Sequence, residues 1–322
     1  MNQYTIMAVH AHPDDEVVFT GGTLLAYARR GVRTVLVTAT GGEEGEIRDP
    51  DLDPEASRPH LREIRLEELR RGTALLEITD TELLGYRDSG MSGSEANAHS
   101  ENFHNADLEA ATRKLVALVR KYKPQVMLTY DEHGAYGHPD HIKCNVITHR
   151  AFDMAGDAGY APELGEPWTP LKLYYCHWNE EGWLKARDMF RERGLKWPWD
   201  EQEQQAQDQD PEHQSTEEAV AEVVEEATEG AEKKEDQEQG EEKPPEYVPP
   251  PVTTRIDVRA LLAEKMESAR QHRTQFEPDG LFMAIPMDIA EFALGEEHYS
   301  LVASRVLAPE SETDLLAGLE GA

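Results

Sequence analysis

The opening forty residues place a short apolar run, Thr5–Val9, ahead of a stretch with helical spacing, Thr23–Arg30, and then a second apolar run, Val32–Thr38. Two such runs joined by a helix-length crossover pair as parallel strands, and crossovers of this kind wind in the right-handed sense. The alternation continues along the chain. Arg58–Leu76 reads as a charged amphipathic helix and Thr81–Leu84 as a strand. Leu108–Tyr122 is a helix closed by Lys123-Pro124, followed by a strand at Val126–Tyr130, a helix at Asp140–Ala155 and a strand at Leu171–His177. This order predicts an α/β fold with a Rossmann-like, mostly parallel sheet and helices on both faces. Helical spacing returns within Ile256–Phe276, marked by Leu261, Leu262, Lys265, Met266 and Ala269, and again at Met287–Leu294. The C-terminal segment is therefore expected to pack back on the sheet.

Charge divides the chain. Of 64 Asp and Glu, 19 fall between Asp200 and Glu246 against 3 of the 32 Lys and Arg, so this stretch carries 3 − 19 = −16 of the net −32. Rich in Glu, Gln and Asp and ended by Pro249-Pro250-Pro251, it cannot bury enough surface to offset chain entropy. The predicted organisation is an α/β core at 1–199, an acidic, disordered or partly helical insertion at 200–251, and a segment at 252–322 that completes the domain. The acidic balance speaks against a nucleic-acid phosphate backbone or an anionic lipid surface as partner. No run of eighteen apolar residues is present, and the N-terminus enters a strand without a leader pattern, which points to a cytoplasmic protein. Cys144 and Cys176 suit a reducing compartment and read as two small buried hydrophobes.

Two clusters follow strands: His12-Pro13-Asp14-Asp15-Glu16 after the first, and His138-Pro139-Asp140-His141 after Val126–Tyr130. Open α/β sheets carry their chemistry at the carboxyl ends of strands. A zinc hydrolase typically uses three mixed nitrogen and oxygen ligands and keeps a position for water; His12, Asp15 and His141 supply that set, which also suits ferrous iron. Such an ion lowers the pKa of its water toward roughly 7, and a base must stand beside it. Asp14 is the candidate base, adjacent to the ligand Asp15 but projecting differently. His138 is expected to act as an imidazolium that stabilises the oxyanion and protonates the leaving amine, with Tyr136 as a further donor to the same oxygen. Asp140 is a candidate to orient one of the imidazoles, and Pro139 has the fixed φ suited to a first helical position. The plainer alternative is that these residues form helix caps and surface ion pairs. The polar segments Gly41–Arg58 and Asp88–Asn105 follow strands on the same side and are candidate pocket walls. His10 is expected to pack below the site, and His60, His99 and His104 to be solvated. Trp197 and Trp199 could stack on a sugar but more simply anchor the domain edge.

With those residues in place, the sequence resembles the LmbE/PIG-L family of zinc-dependent N-deacetylases. Ala11-His12-Pro13-Asp14-Asp15-Glu16 and Gly137-His138-Pro139-Asp140-His141 match its two signature motifs. The likeness extends through Thr40-Gly41-Gly42-Glu43, Arg65-Leu66-Glu67-Glu68, Leu84-Gly85-Tyr86-Arg87-Asp88-Ser89-Gly90-Met91 and Tyr130-Asp131-Glu132-His133-Gly134, and is fainter at His272-Arg273-Thr274-Gln275. The Tyr-Arg-Asp-Ser-Gly-Met run resembles most the branch that holds the mycothiol-biosynthesis deacetylase and the mycothiol S-conjugate amidase. The resemblance implies zinc on His12, Asp15 and His141, Asp14 as base, Tyr136 and His138 serving the transition state, and Arg65 and Asp88 contacting the sugar. It also implies removal of an N-acetyl group from a glucosamine-containing small molecule. The alternatives are cleavage of a thiol-conjugate amide, or a non-catalytic metal- or sugar-binding protein. Homo-oligomerisation is left open. The acidic insertion and the tail depart from the family pattern.

Overall fold

Parallel strands covered on both faces must be apolar along their whole length, and the apolar runs behave accordingly. The computed structural model describes residues 4–195, 197, 247–278, 280–307, 309 and 311–319. Its strands are β1 (Thr5–His10), β2 (Arg33–Thr40), β3 (Asp80–Tyr86), β4 (Val126–Thr129), β5 (Lys172–His177), β6 (Thr254–Asp257) and β7 (Glu296–Ser304). They form one sheet in the order β3-β2-β1-β4-β5-β7-β6. The first five run parallel, with Met7 beside Val35 on one side and Met127 on the other. Antiparallel β7 and then β6 extend the sheet from β5. Strand order reverses between β1 and β4, and that switch point opens the crevice where such sheets bind ligands. Ile6, Met7, Ala8, Val9, Leu36 and Leu128 are wholly buried at the centre of the core.

The helices are α1 (Asp15–Phe19), α2 (Gly21–Arg29), α3 (Pro54–Ser57), α4 (Leu61–Leu75), α5 (Leu108–Tyr122), α6 (Gly134–Gly137), α7 (Pro139–Met154), α8 (Glu180–Glu192), α9 (Leu262–Ala269), α10 (Leu281–Ala284) and α11 (Met287–Ala293). Right-handed crossovers place α2 and α4 on one face and α5 and α7 on the other; α5 packs on α7, while α9 covers α4 and touches α1 and α2. Capping is local: Asp107 accepts the Ala110 N–H at the start of α5, and Lys123 closes that helix in the left-handed conformation ahead of Pro124. The C-terminal segment does return to the sheet, but it begins as a strand. Ile256, grouped by the sequence with the helical stretch, lies in β6, where Thr254 and Ile256 are buried and Arg255 and Asp257 exposed. This two-residue period is the mark of a half-buried strand.

The tail is tied down by charge. Lys172 Nζ on β5 donates to Glu312 Oε1 at 2.6 Å with both side chains buried. Removing one member leaves the other charge uncompensated, so Lys172→Met is expected to cost about 3–5 kcal/mol; denaturant unfolding would show this as a lower midpoint at an unchanged slope. Among the described residues, no helix is long and apolar enough to cross a membrane. The acidic stretch at 200–246 and Trp199 lie outside the described residues. Trp197 is buried beside Trp183 and Phe190 at the edge of the domain.

Candidate active site

The two clusters meet at the switch point. His12 stands just beyond β1, Asp15 opens α1, and His141 lies in the first turn of α7 after β4. His141 Nε2 is 3.3 Å from His12 Nδ1 and 3.4 Å from Asp15 Oδ1, and His12 Nδ1 is 3.4 Å from Asp15 Oδ2. Three donors at these separations match the edges, ~3.3 Å, of a tetrahedron with bonds of about 2.0–2.1 Å. Ring tautomers agree. His141 Nδ1 sits 3.1 Å from the Gly134 carbonyl, which can only accept, so the proton is on Nδ1 and the Nε2 lone pair faces the triangle. His12 Nε2 lies 3.5 Å from both Asp88 Oδ1 and Asp140 Oδ2, which places its proton there and its Nδ1 lone pair toward His141. Two imidazole lone pairs and a carboxylate directed at one another repel unless a cation sits among them, so these residues fit a divalent ion. His12, His138 and His141 also bring one nitrogen each within 4.8 Å of one another, as do the donors of His12, Asp88 and Asp140.

Local sequence explains the placement. His138 caps α7 by accepting the Asp140 N–H on Nδ1 at 3.1 Å, and Pro139 fills the first helical position. Glycine is required at 134: φ is +72°, and a Cβ there would stand 2.8 Å from His141 Cβ. The Tyr130 ring stacks on His141 with centroids 4.0 Å apart, and Tyr136 Oη lies 3.4 Å from His141 Nε2. His10 is buried beneath the site, its Nε2 2.9 Å from Thr20 Oγ1. His60, His99 and His104 are exposed.

Burial and neighbouring charge split the ionisations. Burial pushes the Asp14 carboxyl up to about 7 against the opposing pull of Arg65, whose Nη2 is 3.3 Å from Asp14 Oδ1. For Asp15 burial also acts upward, but His141 and His12 outweigh it and hold the carboxyl well below its usual range. Burial works against a charged His12 as well, yet the Asp88, Asp140 and Asp15 carboxylates raise it well above the ordinary histidine value; a cation bound among the donors would take the place of the second proton, the one on Nδ1. Burial foremost, with the neighbouring His12 and His141 rings adding to it, pushes His138 down to about 3. At neutral pH His138 is therefore a neutral ring with its proton on Nε2, in place of the imidazolium expected from sequence.

The structure brings His12, Asp14, Asp15, Tyr136, His138, Asp140 and His141 together at one place. It gives Arg65 and Asp88 positions that sequence spacing could not supply. Both are buried: Arg65 donates to the Gly42 carbonyl at 2.8 Å and the Pro13 carbonyl at 2.9 Å, and Asp88 accepts the Gly90 N–H and stands behind His12. Sequence reasoning does not single out Ser89, which donates to both oxygens of Asp140 through its N–H and its hydroxyl. The signal available was its place in the Tyr-Arg-Asp-Ser-Gly-Met run, next to Asp88.

The comparisons with known proteins agree with this geometry. Residues 7–152 match the PIG-L family model, described as GlcNAc-PI de-N-acetylase. A 1D-myo-inositol 2-acetamido-2-deoxy-alpha-D-glucopyranoside deacetylase of Geodermatophilus obscurus is 37% identical, covering 98% of this chain and 98% of that protein. The chain belongs to the PIG-L de-N-acetylase family. A second relative, deacetylase 1 of the same description from Frankia alni, is 39% identical over 97% of this chain and 99% of its own length. Family membership makes the chain an enzyme of N-acetyl amide hydrolysis. Two solved structures share the fold. N,N'-diacetylchitobiose deacetylase from Pyrococcus horikoshii matches with a TM-score of 0.56 at 17% identity, over 94% of this chain and 84% of that one. A conserved protein from Thermus thermophilus matches at 0.54 and 16%, over 94% and 97%.

Proposed function

We propose that this enzyme removes the N-acetyl group from an N-acetylglucosaminyl-inositol or closely related glycoside, using a divalent ion, zinc as the family resemblance implies, held by His12, Asp15 and His141. The observation that carries the reading is the triangle of 3.3–3.4 Å donor separations with Asp14 beside it. His138 is left out of the ligand set because its Nδ1 is taken by the Asp140 N–H. A bound ion would polarise the acetamide carbonyl and render water acidic enough to attack it near neutral pH.

The side chains divide the remaining work. Asp14 takes the proton of the attacking water and returns it to the amine nitrogen as the C–N bond breaks, releasing acetate and the free amine. A carboxyl poised near 7 is matched to both transfers. His138 donates its Nε2–H to the carbonyl oxygen as negative charge builds there, joined by the Tyr136 phenol. Asp140 and Asp88 fix the His12 ring, in the manner of carboxylates behind metal-bound histidines. Intact Asp14 and His138 favour catalysis over mere binding, since binding needs neither group.

Arg65 holds Asp14 toward its ionised form, so its removal has a defined sign. A neutral side chain in its place favours protonated Asp14, and the acid limb of kcat/KM is expected to move to higher pH in Arg65→Met. A large rise in KM with an unmoved limb would instead assign Arg65 to the sugar. The substrate is tested by acetate release from N-acetylglucosaminyl-inositol against cleavage of a thiol-conjugated amide. Faster turnover of the first is expected, and the reverse order would favour the amidase reading.

A further inference from the structure

We infer that Glu16 and His272 are positioning residues that hold Asp14 in its working conformation, making the C-terminal segment a structural partner of the reaction centre. The inference rests on Asp14 being the base.

Asp14 has φ 136°, a region that side-chain-bearing residues rarely adopt and keep only when the surroundings over-determine it. The backbone of the strained residue is gripped directly. Its N–H donates to Glu16 Oε2 at 3.0 Å, and its carbonyl accepts the Val17 N–H at 3.0 Å. Glu16 has no exposed surface, so its carboxylate needs a second partner. That partner is His272, whose Nε2 lies 2.8 Å from Glu16 Oε1 and which comes from 256 positions further along the chain.

His272 is itself built in. It follows α9, which packs on α4, and its approach depends on Gly72 of α4, where a Cβ would stand 2.8 Å from Nε2. Two residues on, Thr274 gives its N–H and hydroxyl to Glu68 of α4 at 3.0 and 2.6 Å. The carbonyl of Thr274 accepts the Arg48 N–H at 2.9 Å, joining the same segment to the loop after β2. A chain of hydrogen bonds thus runs from Glu68 of α4 through the segment His272–Thr274 and Glu16 to the amide of Asp14. None of its members needs to touch substrate for the chain to set where the Asp14 carboxylate points, and a misplacement of about 1 Å can cost about a hundredfold in rate.

His272→Leu fills the space but cannot donate, and His272→Gln restores a donor. For the leucine variant, turnover of N-acetylglucosaminyl-inositol is expected to show kcat about tenfold or more below the parent with KM within about twofold. Zinc content by elemental analysis and the melting transition should show a folded, loaded protein. The glutamine variant should recover most of kcat. In an Asp14→Ala background His272→Leu should cost nothing further, because a residue that acts through Asp14 cannot act without it. Additive losses in that cycle, unchanged kcat in folded His272→Leu, or loss of zinc would overturn the inference. Should the leucine variant fail to fold, Glu16→Gln offers one oxygen to two donors and takes its place, with the same expected split. If Asp14→Ala itself retains full turnover, the assignment of the base has failed, and that outcome is distinct from any of these.

Discussion

Asp14→Ala is expected to lower kcat by about two to four orders of magnitude while the protein still binds about one divalent ion per chain. The two adjacent carboxylates have separate duties. Asp15 faces His12 and His141 and is held well below the usual carboxylate range by them, so it remains an anion at any working pH. Asp14, which has a positive φ, is half-buried, and the loss of solvent raises its carboxyl to about 7. It can therefore accept a proton near neutrality and give it back, which Asp15 cannot. Since the donor triangle does not include Asp14, its truncation should leave metal content unchanged. Turnover close to the parent's would reject Asp14 as base; loss of the ion would place it among the ligands.

His141→Ala should lose both the ion and the activity, with metal affinity falling by more than about a hundredfold. His138→Ala makes the informative contrast. The two imidazoles stand at the start of α7, His138 as its cap and His141 in its first turn, and both lie near His12. His141 presents a lone pair to Asp15 and His12, whereas His138 spends Nδ1 on capping the helix. On this account His138→Ala keeps about one ion per chain but loses about 10²–10³ in kcat, the cost of one oxyanion donor. Metal loss in His138→Ala with retention in His141→Ala would exchange the two roles.

How much of this could be seen in the residues varies with the physical signal. The parallel half of the sheet was legible because fully buried strands must be apolar runs and their crossovers must be helices; β1, β2, β4 and β5 fall within a residue or two of the apolar segments. The antiparallel edge was not. β7 begins Glu296-Glu297-His298, which reads as surface, yet Glu297 is buried because its carboxylate caps α2 through the Gly22 and Thr23 N–H groups and pairs with Lys265. A charge satisfied by partners 275 positions away leaves no local trace.

The site divides in the same way. The ligand and base candidates sit in two short motifs, where strand end and helix start fix the geometry locally. The orienting groups come from elsewhere: Asp88 from the loop after β3, and His272 from beyond the acidic stretch. The protonation state of His138 was beyond sequence as well, for it follows from burial and from two neighbouring imidazoles that only the fold assembles. Arg65 shows a third case. Its helix position is plain from sequence, but its engagement with Pro13, Gly42 and Asp14 depends on the fold bringing α4 beside the loops that follow β1 and β2.

The most direct test is acetate release from N-acetylglucosaminyl-inositol by protein stripped with a chelator and then titrated with zinc. No turnover is expected in the stripped protein and full recovery near one ion per chain, with His12→Ala, Asp15→Ala and His141→Ala each failing to recover. Undiminished turnover by metal-free protein, or recovery in those three variants equal to that of the parent, would contradict the three-ligand metal site.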